Sequence, residues 1–67
     1  MNNLRITLKA ARVNKGLKAC RAAKELGIST ATLRVWERNP DQVRPGWRKI
    51  LSMMYDMPEE NIIFAKN

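Results

Sequence analysis

Two glycine-centred turn signals divide the first half of the chain into short segments, and this division constrains the fold more than any other feature. Asn14-Lys15-Gly16 and Leu26-Gly27-Ile28 each follow a run in which apolar residues recur at spacings of three and four. Glycine suits the left-handed position just beyond a helix C-terminus, which other residues resist. We therefore expect two short helices, the first N-capped by Thr7 and ending near Asn14, the second running from about Lys18 to Leu26.

The rest of the chain predicts three more helices. Ser29 is a suitable N-cap for a third helix that continues to about Arg38, and a loop over residues 39–46 leads into a fourth helix from Pro45. The apolar stripe of this fourth helix comprises Trp47, Ile50, Leu51, Met54 and Tyr55. A short fifth helix is expected from Pro58 to Phe64, although residues 62–64 could equally be extended. A chain of 67 residues buries only about 60% of the surface that it exposes when unfolded, so we expect one domain over residues 1–67. The five predicted helices make this an all-α, five-helix domain.

Positive charge is concentrated in the first three quarters of the chain. Residues 1–49 carry twelve Lys and Arg against three Asp and Glu, whereas residues 50–67 carry one lysine against three acids. The overall charge is +7, and no histidine is present to change it near neutral pH. A strongly basic surface favours a polyanionic partner. The apolar C-terminal part is then free for burial or for contact with another protein chain.

The same composition argues against several classes of protein. Cys20 is the one cysteine and histidine is absent, so neither an intramolecular disulfide nor the usual zinc ligand sets can form. No nucleophile lies beside a base at a recognisable spacing, so we expect no enzymatic activity, no catalytic residue and no cofactor. The longest apolar run, residues 62–65, is far shorter than the roughly 20 residues that span a bilayer. We therefore expect a cytoplasmic protein without a membrane partner.

The third predicted helix has a basic outer side. Its inward positions are Thr32, Leu33 and Trp36, which recur at spacings typical of one buried helix face. Its outward positions are Thr30, Ala31, Arg34, Val35 and Arg38. This outer arc contains no acidic residue. Two helices joined by a short glycine turn, the second with a positive outer side, are typical of a helix-turn-helix unit, here over residues 18–38.

Residues spread through the first three helices and the C-terminal segment add a more specific pattern. It comprises Leu8, Arg12, Gly16-Leu17, Ala23, Leu26-Gly27-Ile28-Ser29, Thr32-Leu33, Trp36-Glu37, Pro45 and Glu60-Asn61-Ile62-Ile63-Phe64. With this pattern the chain resembles the Cro and repressor family of phage and plasmid regulators, also called the xenobiotic-response-element family. The resemblance implies a five-helix repressor-like domain that occupies an operator in double-stranded DNA. Lys18 and Ala19 depart from it, because relatives commonly have a Ser or Thr cap followed by Gln there.

The resemblance also implies where DNA is contacted. In the family the third helix lies in the major groove, so the base-edge candidates are Thr30, Ala31, Arg34 and Val35. Arg34 has the strongest directional chemistry, because its guanidinium can bond guanine O6 and N7 together. The phosphate candidates are cations around the second, third and fourth helices, namely Lys18, Arg21, Arg38, Arg44 and Arg48. A cation at a helix N-terminus opposes the helix dipole, which favours a phosphate role for Lys18.

Other positions are expected to be structural. Arg12 and Glu37 match a pair that in relatives forms a largely buried ion pair between the first helix and the end of the third. Trp36 and Trp47 fall on inward-facing stripes, so we expect them in the core and not as stacking platforms. Cys20 is most simply a small helix residue.

The family's operators are commonly palindromic, which implies a homodimer that forms completely only on DNA. Candidates for the dimer surface are Met53, Met57 and Phe64, with packing in the core as an equal alternative. No small-molecule ligand is expected, since no ligand domain is recognisable in the sequence.

Two other interpretations stay open. The string from Thr32 to Arg38 also resembles winged-helix activators of the mercury-resistance type and small phage excisionases, which continue into a β-wing. A β-hairpin over residues 39–47 would favour that interpretation. Alternatively, the fold could serve as a protein-binding module, such as an antitoxin or an antirepressor, whose apolar tail is the contact surface. An exposed tail would favour this second interpretation.

Overall fold

The computed structural model describes residues 4–65, which are mostly helical. The α-helices of this part of the chain are α1 (Leu8–Asn14), α2 (Ala19–Leu26), α3 (Thr30–Arg38) and α4 (Pro45–Met54). Short 3-10 turns lie at Pro40–Gln42 and Glu59–Asn61, and two-residue strands form β1 (Ile6–Thr7) and β2 (Ile62–Ile63). The predominantly α-helical character is therefore confirmed, whereas the prediction of five helices is wrong: residues 4–65 contain four.

Side-chain caps and left-handed glycines set the helix boundaries as the sequence predicts. The Thr7 and Ser29 hydroxyls each accept a hydrogen bond, at 3.0 Å, from the backbone amide three residues further on. Gly16 and Gly27 follow α1 and α2 with φ angles of 79° and 76°. These caps and turns satisfy amides and carbonyls that the helix ends would otherwise leave without partners.

A parallel strand pair takes the place of the expected fifth helix. Ile62 is paired in register with Ile6, which lies near the other end of the chain. The Asn61 side-chain amide donates a hydrogen bond to the Leu4 carbonyl at 2.6 Å and joins the same two segments. β-branched isoleucines suit an extended backbone, and the pairing satisfies backbone groups of both segments. Residues 62–63 therefore adopt the extended alternative, with Ile62 buried.

Buried apolar residues from all four helices and from β2 form one core. Its members are Leu8, Ala11, Ala19, Ala22, Ala23, Leu33, Val43, Leu51, Tyr55, Ile62 and Phe64. The small alanines of α2 let α3 approach closely, and these two helices make the most extensive contact between elements. Trp36 and Trp47 pack against the core with ring centroids 5.2 Å apart. On the predicted stripe of α4, Ile50 is the exception, since it is exposed.

Candidate nucleic-acid interface

The outer side of α3 is open to solvent at three of its five predicted positions. Ala31, Arg34 and Arg38 are exposed, whereas Thr30 and Val35 are half-buried. Within residues 4–65, neither Arg34 nor Arg38 has an ion-pair or hydrogen-bond partner. Two unpaired guanidinium groups therefore lie one helical turn apart on this surface.

The one acidic residue of α3 is turned inward and held by an arginine of α1. Arg12 Nε donates to Glu37 Oε2 at 2.7 Å, and Arg12 Nη2 donates to Glu37 Oε1 at 3.3 Å. The Arg12 and Glu37 side chains are only 8% and 7% exposed. The structure thus contains the buried ion pair that the family resemblance implies. Because Arg12 compensates this carboxylate, the outer side of α3 keeps its positive charge.

The Arg12 guanidinium has a third partner, which makes it a link between segments as well as a counter-ion. Its Nη1 donates to the Leu17 carbonyl at 2.8 Å, in the turn between α1 and α2. The hydrogen bond to Glu37 raises the pKa of Arg12, and burial opposes this effect. The Arg12 guanidinium therefore keeps its charge, and it ties α1, the first turn and α3 together.

Three of the predicted phosphate cations are exposed and have no partner among residues 4–65. Lys18 and Arg44 are the N-cap residues of α2 and α4, and neither side chain makes a capping hydrogen bond. Arg38 lies at the end of α3. At the N-termini of α2 and α4 the helix dipole opposes the charges of Lys18 and Arg44, whereas at the C-terminus of α3 it favours the charge of Arg38. These three side chains are free to bind an external anion.

The other two predicted phosphate cations already have partners. Arg21 Nε donates to the Glu25 carboxylate at 2.8 Å across one turn of α2. Arg48 Nε donates to the Val43 carbonyl at 2.9 Å, and its guanidinium lies 5.2 Å from the centre of the Phe64 ring. A phosphate would have to compete with these contacts, so both arginines are weaker candidates than the sequence indicates.

Lys9 is the candidate that the sequence reasoning missed. It lies on α1, and with Arg34, Glu37 and Arg38 of α3 it lines a cleft of about 270 Å³. The sequence places Lys9 between the apolar positions of α1, and the pattern of one helix does not say which other helix packs beside it. The contact between α1 and α3 brings this cation to the basic side of α3.

The predicted dimer surface is only partly available. Phe64 is 7% exposed and packs in the core, which is the alternative that the sequence left equally open. Met57 is half-buried and packs against the core. Met53 remains exposed at 77%, and Ile50, one turn earlier on α4, is exposed at 46%. Of the three candidates only Met53, on α4, is exposed; the other exposed large apolar side chains of residues 4–65 are Leu4, Val13 and Ile50.

Tyr55 lies beneath the ion pair and is the only tyrosine of the chain. It is 3% exposed, and its hydroxyl is the one buried side-chain polar atom of residues 4–65 without a hydrogen-bond partner. Burial, assisted by the negative charge of Glu37, raises the pKa of Tyr55 to about 12, although Arg12 acts in the opposite direction. The folded protein therefore keeps this proton at pH values at which the unfolded chain, with a pKa near 10.0, loses it.

This difference predicts a loss of stability at alkaline pH that depends on Tyr55. The free energy of unfolding should fall as pH rises from about 10 to about 12, by up to ~1.4 kcal/mol per pH unit, because the unfolded state releases the phenolic proton first. Tyr55→Phe should remove this dependence. Urea denaturation at several alkaline pH values measures the difference, and ultraviolet absorbance of the phenolate reports the pKa directly. Equal alkaline slopes in the two proteins would contradict the assignment.

Three further findings concern metal ligands, membrane spans and the cysteine in the part of the chain from residue 4 to residue 65. It contains no group of three or more His, Cys, Asp or Glu side chains that could hold a metal ion. None of its helices is long and apolar enough to cross a membrane. Cys20 is exposed and forms no disulfide.

Comparison with known proteins gives no match: no protein-family model, curated protein or solved structure matches this chain.

Proposed function

We propose that the chain is a sequence-specific DNA-binding transcriptional regulator of the Cro type, which occupies an operator through a helix-turn-helix made of α2 and α3. The observation that carries this proposal is the exposed outer side of α3. Arg34 and Arg38 have no partner there among residues 4–65, and the one acid of α3, Glu37, is held inward by Arg12. Duplex DNA is the polyanion whose major groove accepts a helix of this kind. A helix whose basic side was packed inside the molecule could not act in this way.

In the proposed complex the two kinds of contact come from different elements. Arg34 reads a guanine through O6 and N7, while the methyl group of exposed Ala31 contacts a thymine methyl. Thr30 and Val35, half-buried on α3, contribute smaller surfaces beside them. Lys18 and Arg44, at the starts of α2 and α4, bind phosphates, and such contacts set the register of α3 on the duplex without reading sequence.

A homodimer extends this proposal to a palindromic operator. Two copies of α3 then lie about 34 Å apart, one turn of the double helix. The exposed apolar pair Ile50 and Met53 on α4 supplies the contact between subunits. A surface of two side chains is small, so the dimer completes on DNA, where both copies are held in place by the duplex.

The two alternative interpretations receive less support. Residues 39–47, where a β-wing would begin, hold the 3-10 turn Pro40–Gln42 and the start of α4 in place of a hairpin. The C-terminal tail, which a protein-binding module would leave open, has Ile62 and Phe64 buried in the core. The features that would favour a winged helix or an antitoxin-like module are thus missing from the described residues.

Binding selection from random duplex DNA tests the proposed function. We expect an enriched site with two-fold symmetry that contains a guanine read by Arg34. Arg34→Ala should weaken binding to this site by about 5- to 150-fold, since a bidentate arginine–guanine contact contributes ~1–3 kcal/mol of discrimination. The variant should also accept other base pairs at that one position. Lys24→Ala, an exposed cation of α2 outside the candidate set, is the matched control and should keep the sequence preference. Failure to enrich any sequence would refute the proposal.

A further inference from the structure

The cleft between α1 and α3 is lined by three cations that have no counter-ion among residues 4–65. Its lining residues are Lys9, Arg34, Glu37 and Arg38, and its volume is about 270 Å³. The three cations are exposed, and none of them has an ion-pair or hydrogen-bond partner among residues 4–65. Cations from two separate helices thus face one concave surface.

The acidic residue of the cleft does not compensate these cations. Both oxygens of the Glu37 carboxylate accept hydrogen bonds from Arg12, so its charge is already paired. An adjoining cleft shares Glu37 and Arg38, and its remaining lining is uncharged: Thr7, Leu8, Pro40, Ile63 and Ala65. Neither cleft is therefore lined by an unpaired carboxylate.

We propose that this cleft binds a phosphate group. The planar guanidinium groups of Arg34 and Arg38 suit paired hydrogen bonds to phosphate oxygens, and the Lys9 ammonium adds a compact positive charge from the facing helix. Two kinds of ligand carry such a group: duplex DNA, as a phosphodiester, and a free phosphorylated small molecule. The first source rests on the proposed function, whereas the second is independent of it.

Arg34 gives this site a consequence for DNA recognition. The same guanidinium serves as the proposed reader of a guanine, and it cannot bond a base and a phosphate in the cleft with all its donors at once. A free phosphate held by Lys9 and Arg38 therefore draws Arg34 away from the base. Pyrophosphate, a small polyanion without a base or a sugar, is the probe that separates this site from base recognition.

Titration of the isotope-labelled protein with pyrophosphate at low salt tests the site by nuclear magnetic resonance. We expect the largest amide shifts at residues 9, 34, 37 and 38. Lys9→Gln and Arg38→Gln should each weaken binding by about two- to fivefold, and the double variant by roughly tenfold, as for other exposed charge pairs. Lys24→Gln removes one charge outside the cleft and should change the affinity by less than about twofold. Equal losses in Lys9→Gln and Lys24→Gln, or no shifts at the cleft, would overturn the proposal.

Duplex binding by the same variants identifies the source of the phosphate. If Lys9→Gln lowers the affinity for the selected duplex and pyrophosphate competes with it, the cleft holds a DNA phosphate. If Lys9→Gln weakens pyrophosphate binding alone, a free phosphorylated molecule is the ligand and the proposed DNA contacts stand unchanged. If the protein binds pyrophosphate in the cleft but no duplex, the proposed function fails while the phosphate site is upheld.

Discussion

Arg12→Met is expected to lower the free energy of unfolding by about 3–5 kcal/mol, which is comparable to the total stability of a domain of this size. The reason is that the Glu37 carboxylate, 7% exposed, would stay buried without its partner. Replacing both residues, as in Arg12→Met with Glu37→Leu, should restore most of the stability, because a buried ion pair can be exchanged for apolar side chains at little cost. Urea denaturation of the four proteins gives the coupling energy between the two positions.

A second ion pair in the same molecule is the matched control for this experiment. Arg21 Nε and the Glu25 carboxylate are 2.8 Å apart, almost the same distance as in the buried pair, but their side chains are 67% and 44% exposed. Their coupling should be only ~0.3–0.5 kcal/mol, as for other exposed pairs one helical turn apart. Similar coupling energies for the two pairs would mean that burial does not strengthen the Arg12 interaction. If the Arg12→Met protein does not fold, Glu37→Gln supplies a milder single variant for the cycle.

On a duplex that carries one half-site and so binds one subunit, the affinity is expected to fall by roughly 40- to 500-fold between about 50 and about 200 mM salt. This range corresponds to three to five phosphate contacts per subunit, each of which releases counter-ions and contributes about −0.9 to the slope of log affinity against log salt. The lower limit of three contacts is one for each cation without a partner, namely Lys18, Arg38 and Arg44. The upper limit adds Arg21 and Arg48, which would first have to leave their internal partners. Fluorescence anisotropy of a labelled duplex measures the slope.

Single variants separate these contributions. Lys18→Gln and Arg44→Gln should each make the salt slope shallower by about 0.9, whatever the DNA sequence. Arg21→Gln should change it less, because that side chain is held by Glu25. A slope near zero for the unmodified protein would show that these cations do not contact the DNA backbone. Equal changes in all three variants would show that the ion pair with Glu25 opens on binding.

Helix boundaries could be predicted from sequence because they depend on neighbours only a few residues away. The Thr7 and Ser29 hydroxyls reach amides three residues on, and Gly16 and Gly27 adopt the left-handed conformation by themselves. These interactions form between residues of one short segment and need no tertiary contact. The acid-free outer arc of α3 was predictable for the same reason, since it follows from the helical repeat alone.

The C-terminal segment shows where such local reasoning stops. Pro58 and two acids predict a helix start, but Ile62 pairs with Ile6 at the other end of the chain. This pairing and the burial of Ile62 and Phe64 outweigh the local preference for a helix. A pattern that spans one helix length cannot predict this pairing, because β1 and β2 are far apart along the chain. The same limit explains why Phe64 was expected equally at a dimer surface and in the core.

The sequence by itself determined the excess of positive charge, the places where α1, α2 and α3 begin and end, and the side of α3 that carries no acid. Only the tertiary structure decided which cations have no partner inside the protein. It pairs Arg12 with Glu37, places the Arg48 guanidinium over the Phe64 ring, and brings Lys9 and Arg38 to one cleft. The physical reason is distance, because a charge is neutralised or left available by groups within a few ångströms of it. Those groups come from helices that are far apart along the chain, and packing alone makes them neighbours.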